Sequence, residues 1–242
     1  MLSVGIRTTQ RPQTQTSRTA LPTNPVSSQL AISASGIRFD YDNQPILNVE
    51  KCELNGGQSM AVIGASGCGK TTFLHLLAGL IRPRAGSIKI LGQDIGQLHS
   101  GELDRFRGQR IGLVFQRLHL LPALSVIENV LMAQRLARRP TDLTQIRLLF
   151  DRLNLTNLEQ HKPSMLSQGQ AQRVAIARAL VHEPQLVMAD EPTSALDDHQ
   201  AEQALALLSE SAAAVGAALL VVTHDQRVRG RMEREFEMTA QA

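Results

Sequence analysis

The chain has no tryptophan, a single tyrosine and 3% aromatic residues among 242. A surface so poor in rings lacks the stacking platforms on which proteins hold single-stranded nucleic acid. Cysteine occurs twice, at Cys52 and Cys68, too seldom for a disulfide scaffold or a four-cysteine zinc site, and compatible with a reducing compartment. The longest near-continuous apolar run, Ala212 to Val222, falls well short of the roughly 20 residues of a membrane-spanning helix. What is present is ordinary: 43% hydrophobic and 19% charged residues exclude a wholly disordered chain. The length suits one large domain or a domain with a substantial insert.

Acidic residues are missing from residues 1–29, which carry Arg7, Arg11 and Arg18. Setting those three aside from 25 cations leaves 22 against 22 acids, so the pI near 9.2 is a property of the leader and no sign of a nucleic-acid surface. Residues 1–29 are rich in Ser, Thr, Gln and Pro. They bury too little to offset the entropy of ordering, and are read as a disordered leader, a solvated tail. Its acid-free, Arg-containing composition also faintly resembles an organelle transit peptide.

From about Ala31 the texture changes. Loose alternation over Ala31–Phe39 and Ile46–Leu54 predicts strands with one wet face. Ser59–Ile63 is a short apolar run ending at glycine, as a buried strand does, and Phe73, Leu74, Leu77, Ala78 and Leu80 place a helix over Thr71–Leu80. Further strands are expected at Gly86–Leu91, Ile111–Phe115, Gln185–Ala189 and Ala218–Val222. Helices are expected at Ser125–Ala137, Asp142–Leu153, Gly169–Val181 and Asp198–Val215. Strands alternating with helices argue for a mainly parallel α/β sheet. Residues 117–180 hold helices and no evident strand, and read as a helical subdomain within one folding unit, 30–242.

Gly64-Ala65-Ser66-Gly67-Cys68-Gly69-Lys70-Thr71 fits G-x-x-x-x-G-K-[ST] between a strand and a helix. Its glycines let successive N–H groups turn inward onto an anion, and the helix adds its positive end. Lys70 reaches β- and γ-phosphates, the Thr71 hydroxyl suits Mg²⁺, and Thr72 shares the same first turn. Leu186-Val187-Met188-Ala189-Asp190 delivers a carboxylate at the end of an apolar strand, for the Mg²⁺ shell. Glu191 directly follows; two adjacent acids there are costly unless a cation or a reacting water uses them, so Glu191 is the candidate for polarising attacking water. Together these say P-loop NTPase. Guanine specificity is disfavoured: none of the four lysines, Lys51, Lys70, Lys89 and Lys162, follows Asn as N-K-x-D requires. Cys68, beside Lys70 and a helix start, sits where a thiolate is favoured, so alkylation is expected to block nucleotide binding and ATP to protect.

Leu166-Ser167-Gln168-Gly169-Gln170, running into Ala171-Gln172-Arg173-Val174-Ala175-Ile176-Ala177-Arg178, resembles the L-S-G-G-Q signature and following helix of the ATP-binding-cassette (ABC) ATPases. The resemblance covers about residues 31–225 with the motifs in order. It implies an α/β fold: a P-loop NTPase (RecA-like) core with an antiparallel β edge and an inserted α-helical subdomain at about 117–180. It also implies ATP and Mg²⁺ as cofactors. By position, Gln116 matches the Q-loop glutamine that senses Mg²⁺ and the membrane partner, Ser194-Ala195-Leu196-Asp197 the D-loop, His224 the switch histidine at the γ-phosphate, and Tyr41 the aromatic stacked on adenine. Considered bare, His224 is an ordinary strand-end histidine and Tyr41 a hydrophobic residue in a turn; the full set changes that. Ser167, Gly169 and Gln170 at a helix start offer a hydroxyl, N–H groups and a positive dipole end to an anion. The resemblance implies that this surface faces the nucleotide held by a second copy, two ATP joining a head-to-tail homodimer. Gln168 stands where glycine is commonest, which reduces backbone freedom there.

Repair and chromosome-organising relatives separate the two motif halves by long coiled coils, whereas 119 positions lie between Lys70 and Asp190 here, without sustained heptads. Arg105–Gln116 and Leu120–Val130 resemble the lipoprotein-release and macrolide-export branch. This implies a subunit peripheral to the cytoplasmic face of the inner membrane, powering a separate integral permease, with amino-acid or phosphonate importers and a non-transporting cell-division scaffold as the alternatives. Leu118, Leu120, Leu121 and Leu124 either line a groove for a permease helix or pack the subdomain.

Overall fold

The computed structural model describes residues 29–42, 44–194 and 196–239; the expected leader lies outside them, save Gln29. Its strands are β1 (Leu30–Tyr41), β2 (Gln44–Asn55), β3 (Ser59–Ile63), β4 (Ala85–Ile90), β5 (Gln93–Asp94), β6 (Ile111–Val114), β7 (Leu186–Asp190), β8 (Ala218–Thr223) and β9 (Arg234–Glu237). The α-helices are α1 (Lys70–Leu77), α2 (Ser100–Arg110), α3 (Val126–Leu136), α4 (Leu143–Arg152), α5 (Gln168–Leu180) and α6 (Asp198–Ala214). β1, β2, β4 and β5 pair antiparallel in the order β2-β1-β4-β5, while β6-β7-β8-β3-β9 form a wholly parallel sheet. The antiparallel edge expected from the resemblance is therefore a sheet of its own.

The parallel strands read as unbroken apolar runs because both faces are covered. All residues of β7 and β8 are buried. Alternation sorts them between two cores. Met60, Val62, Met188 and Leu220 join Phe73 and Leu77 of α1 under the antiparallel sheet. On the other face Ala61, Val187 and Val221 meet Val130 of α3, Phe150 of α4 and Ile176 of α5. Each buried Val, Leu, Ile, Met or Phe among them contributes about 1.5–3 kcal/mol. Between β6 and β7 the described residues form α3, α4, α5 and two 3₁₀ turns, Thr156–Leu158 and Pro163–Met165.

Among the elements not expected from the sequence are α2 and β9. In α2 only Leu103 is buried, so no apolar stripe announces a helix; it is fixed instead at its start by the Glu102 carboxylate, which accepts the His99 N–H at 3.1 Å. β9 buries Phe236 alone, and Phe236 stacks on Phe73 with ring centroids 5.9 Å apart.

Candidate nucleotide site

β8 lies between β7 and β3, and the register sets Asp190 beside Val222 and Ile63 beside Thr223. Three parallel strands thus end side by side. The chain leaving them supplies the Gly64–Thr71 loop, Asp190-Glu191 and Thr223-His224, at the carboxyl ends where open α/β sheets bind ligands.

Helices α3, α4, α5 and α6 begin under side-chain caps, from Ser125, Asp142, Ser167 and Asp197. α1 begins at Gly69, left-handed at φ 91°, with no side-chain cap. Its first N–H groups are left to an anion. Ala65, Ser66 and Gly67 form the exposed arch of the loop, and Gly67, at φ 80°, takes a conformation that glycine adopts without strain. Lys70 is 6% exposed, its ammonium donating to the carbonyls of Gly64 at 3.0 Å and Ala65 at 2.9 Å. A buried ammonium satisfied by two neutral carbonyls is primed to exchange them for phosphate oxygens. The segment after β9 fixes the loop's root: Met238 N–H donates to Ile63 O at 2.7 Å, and any Cβ at Gly64 would collide with the Met238 carbonyl.

Cys68 corrects the expectation of a reactive thiol. Its side chain is 1% exposed and belongs to the core, its Sγ turned toward Gly64. Only its backbone remains for a phosphate cradle. Cys52 is equally buried, and burial pushes its thiol up to about 12. Titration of the native protein with a disulfide reagent is expected to leave both thiols unmodified over minutes, with two reacting at once in denaturant; a fast native thiol would show that the loop opens readily.

Thr71 Oγ1 donates to Asp190 Oδ1 at 3.2 Å, so the hydroxyl and carboxylate expected at Mg²⁺ are already together. Asp190 is 3% exposed, and burial raises its carboxyl above the ordinary 3.8 while the Thr71 hydrogen bond opposes the shift. One carboxylate and one hydroxyl fit a hard cation that takes its remaining ligands from phosphates and water. Because ionised Asp190 is penalised by folding, Asp190→Asn is expected to raise the Tm of the nucleotide-free protein by about 1–4 °C at pH 7. The gain should shrink as the pH falls toward the ordinary 3.8 and vanish well below it, where the carboxyl is protonated in both folded and unfolded chains. Thermal unfolding at the two pH values checks it; a lower Tm at pH 7 would refute it.

Glu191 is 9% exposed and adopts φ 46°, an uncommon left-handed backbone for a residue with a side chain. It is held there by its N–H donating to Val222 O at 2.8 Å. Its Oε2 accepts the Thr223 hydroxyl at 2.8 Å; its Oε1 accepts the His224 N–H at 3.0 Å and lies 2.6 Å from His224 Nδ1. The two residues singled out for the chemistry are therefore hydrogen-bonded partners.

Ser167 caps α5, its Oγ accepting the Gln170 N–H at 3.3 Å while Gln170 Oε1 accepts the Ser167 N–H at 2.8 Å. The signature glutamine thus completes a capping box, leaving the exposed Ser167 hydroxyl its proton to donate. Gln168 is the first residue of α5, outside the left-handed region, so no glycine is required and the expected loss of backbone freedom carries no strain. Gly169 has open space around it apart from Gln200 Oε1, 3.8 Å from where a Cβ would stand. No hydrogen bond among the described residues joins Ser167, Gly169 or Gln170 to the phosphate loop.

Residues 47–194 match the ABC transporter family. The chain is 40% identical over 218 residues to the lipoprotein-releasing system ATP-binding protein LolD of Hydrogenovibrio crunogenus, covering 88% of this chain and 95% of that one. It is 38% identical over 210 residues to LolD of Shewanella oneidensis, covering 86% and 91%. This chain belongs to the ABC transporter family. Among solved structures the dimeric bacterial cassette MJ0796 superposes with a TM-score of 0.75 at 32% identity, over 86% of this chain and 94% of that one. MJ0796 in a post-hydrolysis state with ADP and Pi superposes with a TM-score of 0.75 at 31% identity, over 87% and 97%. The protein is an ATP-binding ABC ATPase.

The other motif positions of this cassette are placed as follows. Gln116, exposed after β6, donates to Ser194 Oγ at 3.4 Å rather than joining Thr71 and Asp190. Asp197 caps α6, accepting the Gln200 N–H at 2.8 Å. Tyr41 is 51% exposed at the β1–β2 turn and meets Phe39 edge-on with centroids 4.8 Å apart; Ile46, further along β2, approaches Gly69 within 3.3 Å of where a Cβ would stand. Of the four leucines, Leu121 is 45% exposed while Leu120 packs against the core. Their loop is held by residues the sequence reading passed over. The buried Asn129 amide bonds backbone groups of Leu121, Leu124 and Ser125, and Arg178 donates to the carbonyls of Leu118 and His119, both at 2.7 Å. Thr193 and Asp225, whose side chains meet at 2.8 Å, were likewise unsignalled except by their neighbours.

Proposed function

We propose that this chain is the ATP-hydrolysing subunit of a lipoprotein-release type transporter, peripheral to the cytoplasmic face of the inner membrane and acting on a separate permease. Residues 64–72 cradle the phosphates, with Lys70 at the β- and γ-positions and Tyr41 against the adenine. Thr71 and Asp190 would hold Mg²⁺, joined by Gln116 once it leaves Ser194; the ion would neutralise charge on the phosphates. Glu191 takes the proton of the attacking water and His224 turns onto the γ-phosphate. Ser167, Gly169 and Gln170, with Asp197 of the D-loop, close over the nucleotide of a second copy, on the helical subdomain of residues 117–180. The observation that carries the reading is the gathering of the phosphate loop, Asp190-Glu191 and His224 at adjacent strand ends, while among the described residues no hydrogen bond joins the signature helix start to that loop. The similarity to LolD proteins supports the branch, and no helix among the described residues is long and apolar enough to cross a membrane.

The test is reconstitution in proteoliposomes with the permease that purifies with the chain. Mg²⁺-dependent ATP hydrolysis stimulated by an acylated lipoprotein is expected. Stimulation by a free amino acid or a phosphonate instead would assign the protein to an importer.

A further inference from the structure

Three donors hold the Glu191 carboxylate, and they differ in how firmly each is fixed. The His224 ring is 55% exposed and is the group that turns away to a γ-phosphate. The His224 N–H and the Thr223 hydroxyl are anchored at the end of β8, where Thr223 is fully buried. The hydroxyl is itself oriented. Thr223 Oγ1 accepts the Asp225 N–H at 2.9 Å, which leaves its proton for Glu191 Oε2 at 2.8 Å. Asp225 is held in turn by Thr193 Oγ1 at 2.8 Å and by the Arg227 guanidinium, which also reaches Asp198 at the start of α6. Arg227 keeps the Asp225 carboxyl at about 2, well below the usual range, so the lock stays charged at neutral pH.

We propose that Thr223 is a positioning residue for hydrolysis: its hydroxyl keeps the Glu191 carboxylate aimed at the attacking water once the His224 ring has left. The strained backbone of Glu191 makes such a tie necessary, because a carboxylate with one fixed donor on a left-handed residue has little else to set its direction. The proposal rests on Glu191 being the base. It extends that assignment to a fully buried residue that acts through Glu191.

The experiment compares Thr223→Val, which keeps the shape and removes the hydroxyl, with Thr223→Ser, which keeps the hydroxyl. Steady-state ATP hydrolysis, ATP binding and Tm are read for each. Thr223→Val is expected to lower kcat about tenfold to a hundredfold with the KM for ATP unchanged, and Thr223→Ser to restore most of the turnover. Combined with Glu191→Gln, Thr223→Val should cost nothing further, because both act on one proton transfer. Wild-type turnover in Thr223→Val, equal losses in Val and Ser, a parallel loss of ATP binding, or additive losses in the double variant would each overturn the proposal. Normal turnover in Glu191→Gln alone would instead remove the base assignment on which it rests.

Discussion

Glu191→Gln is expected to bind ATP with nearly unchanged affinity and to hydrolyse it about a hundredfold to ten-thousandfold more slowly. The carboxylate accepts three donors, from Thr223, the His224 backbone and the His224 ring. An amide of the same shape keeps one accepting oxygen and sets an NH₂ group against a donor, a local cost of about 1–3 kcal/mol, small enough for the fold to survive. The phosphate loop is untouched, so binding persists while the proton acceptor is gone. With two nucleotides joining two copies and neither consumed, the variant should accumulate as an ATP-bound dimer, visible by size exclusion with ATP and absent without it. Normal turnover would remove Glu191 from its role, and lost ATP binding would make the side chain structural.

Lys70→Ala is expected to act on the opposite half of the cycle. The ammonium is buried and bonded to the Gly64 and Ala65 carbonyls, the only side-chain cation placed within the loop itself. Each charge-assisted bond to phosphate is worth about 1.5–3 kcal/mol, so losing contacts to two phosphates should weaken MgATP binding by at least about a hundredfold, measured by calorimetry. AMP, which has no β- or γ-phosphate, provides the contrast. A proportionate loss of adenosine or AMP binding would mean that the loop had collapsed rather than lost its charge.

The two variants rest on different kinds of legibility. The strand-loop-helix of Ser59–Leu77 could be read because a strand buried on both faces is an unbroken apolar run and a phosphate cradle demands glycines at fixed offsets. Asp190, Glu191 and His224 could be read because each follows such a run. α2 could not, since its polar sequence buries only Leu103 and packs Phe106 against the core beside it. β9 could not, since an Arg-Glu-Phe-Glu edge strand shows neither alternation nor hydrophobicity. The motif around Cys68 fixes where the backbone goes but not which way the side chain points, and the thiol turned into the core. Gln168 departs from the signature without strain because the first helical position asks for an ordinary right-handed backbone. The Thr223, Asp225 and Thr193 lock joins residues on two separate strands' ends, a relation that only the parallel register of β7 and β8 creates.

The central claim is that one chain holds only part of each working site and a second chain completes it. Its most direct measurement is the initial rate of MgATP hydrolysis by the purified protein over a wide range of its own concentration. Below the range of self-association the rate should rise with the square of protein concentration, so that specific activity falls on dilution and recovers on concentration. A rate strictly proportional to protein, down to the lowest concentration at which it is detectable, would contradict the account.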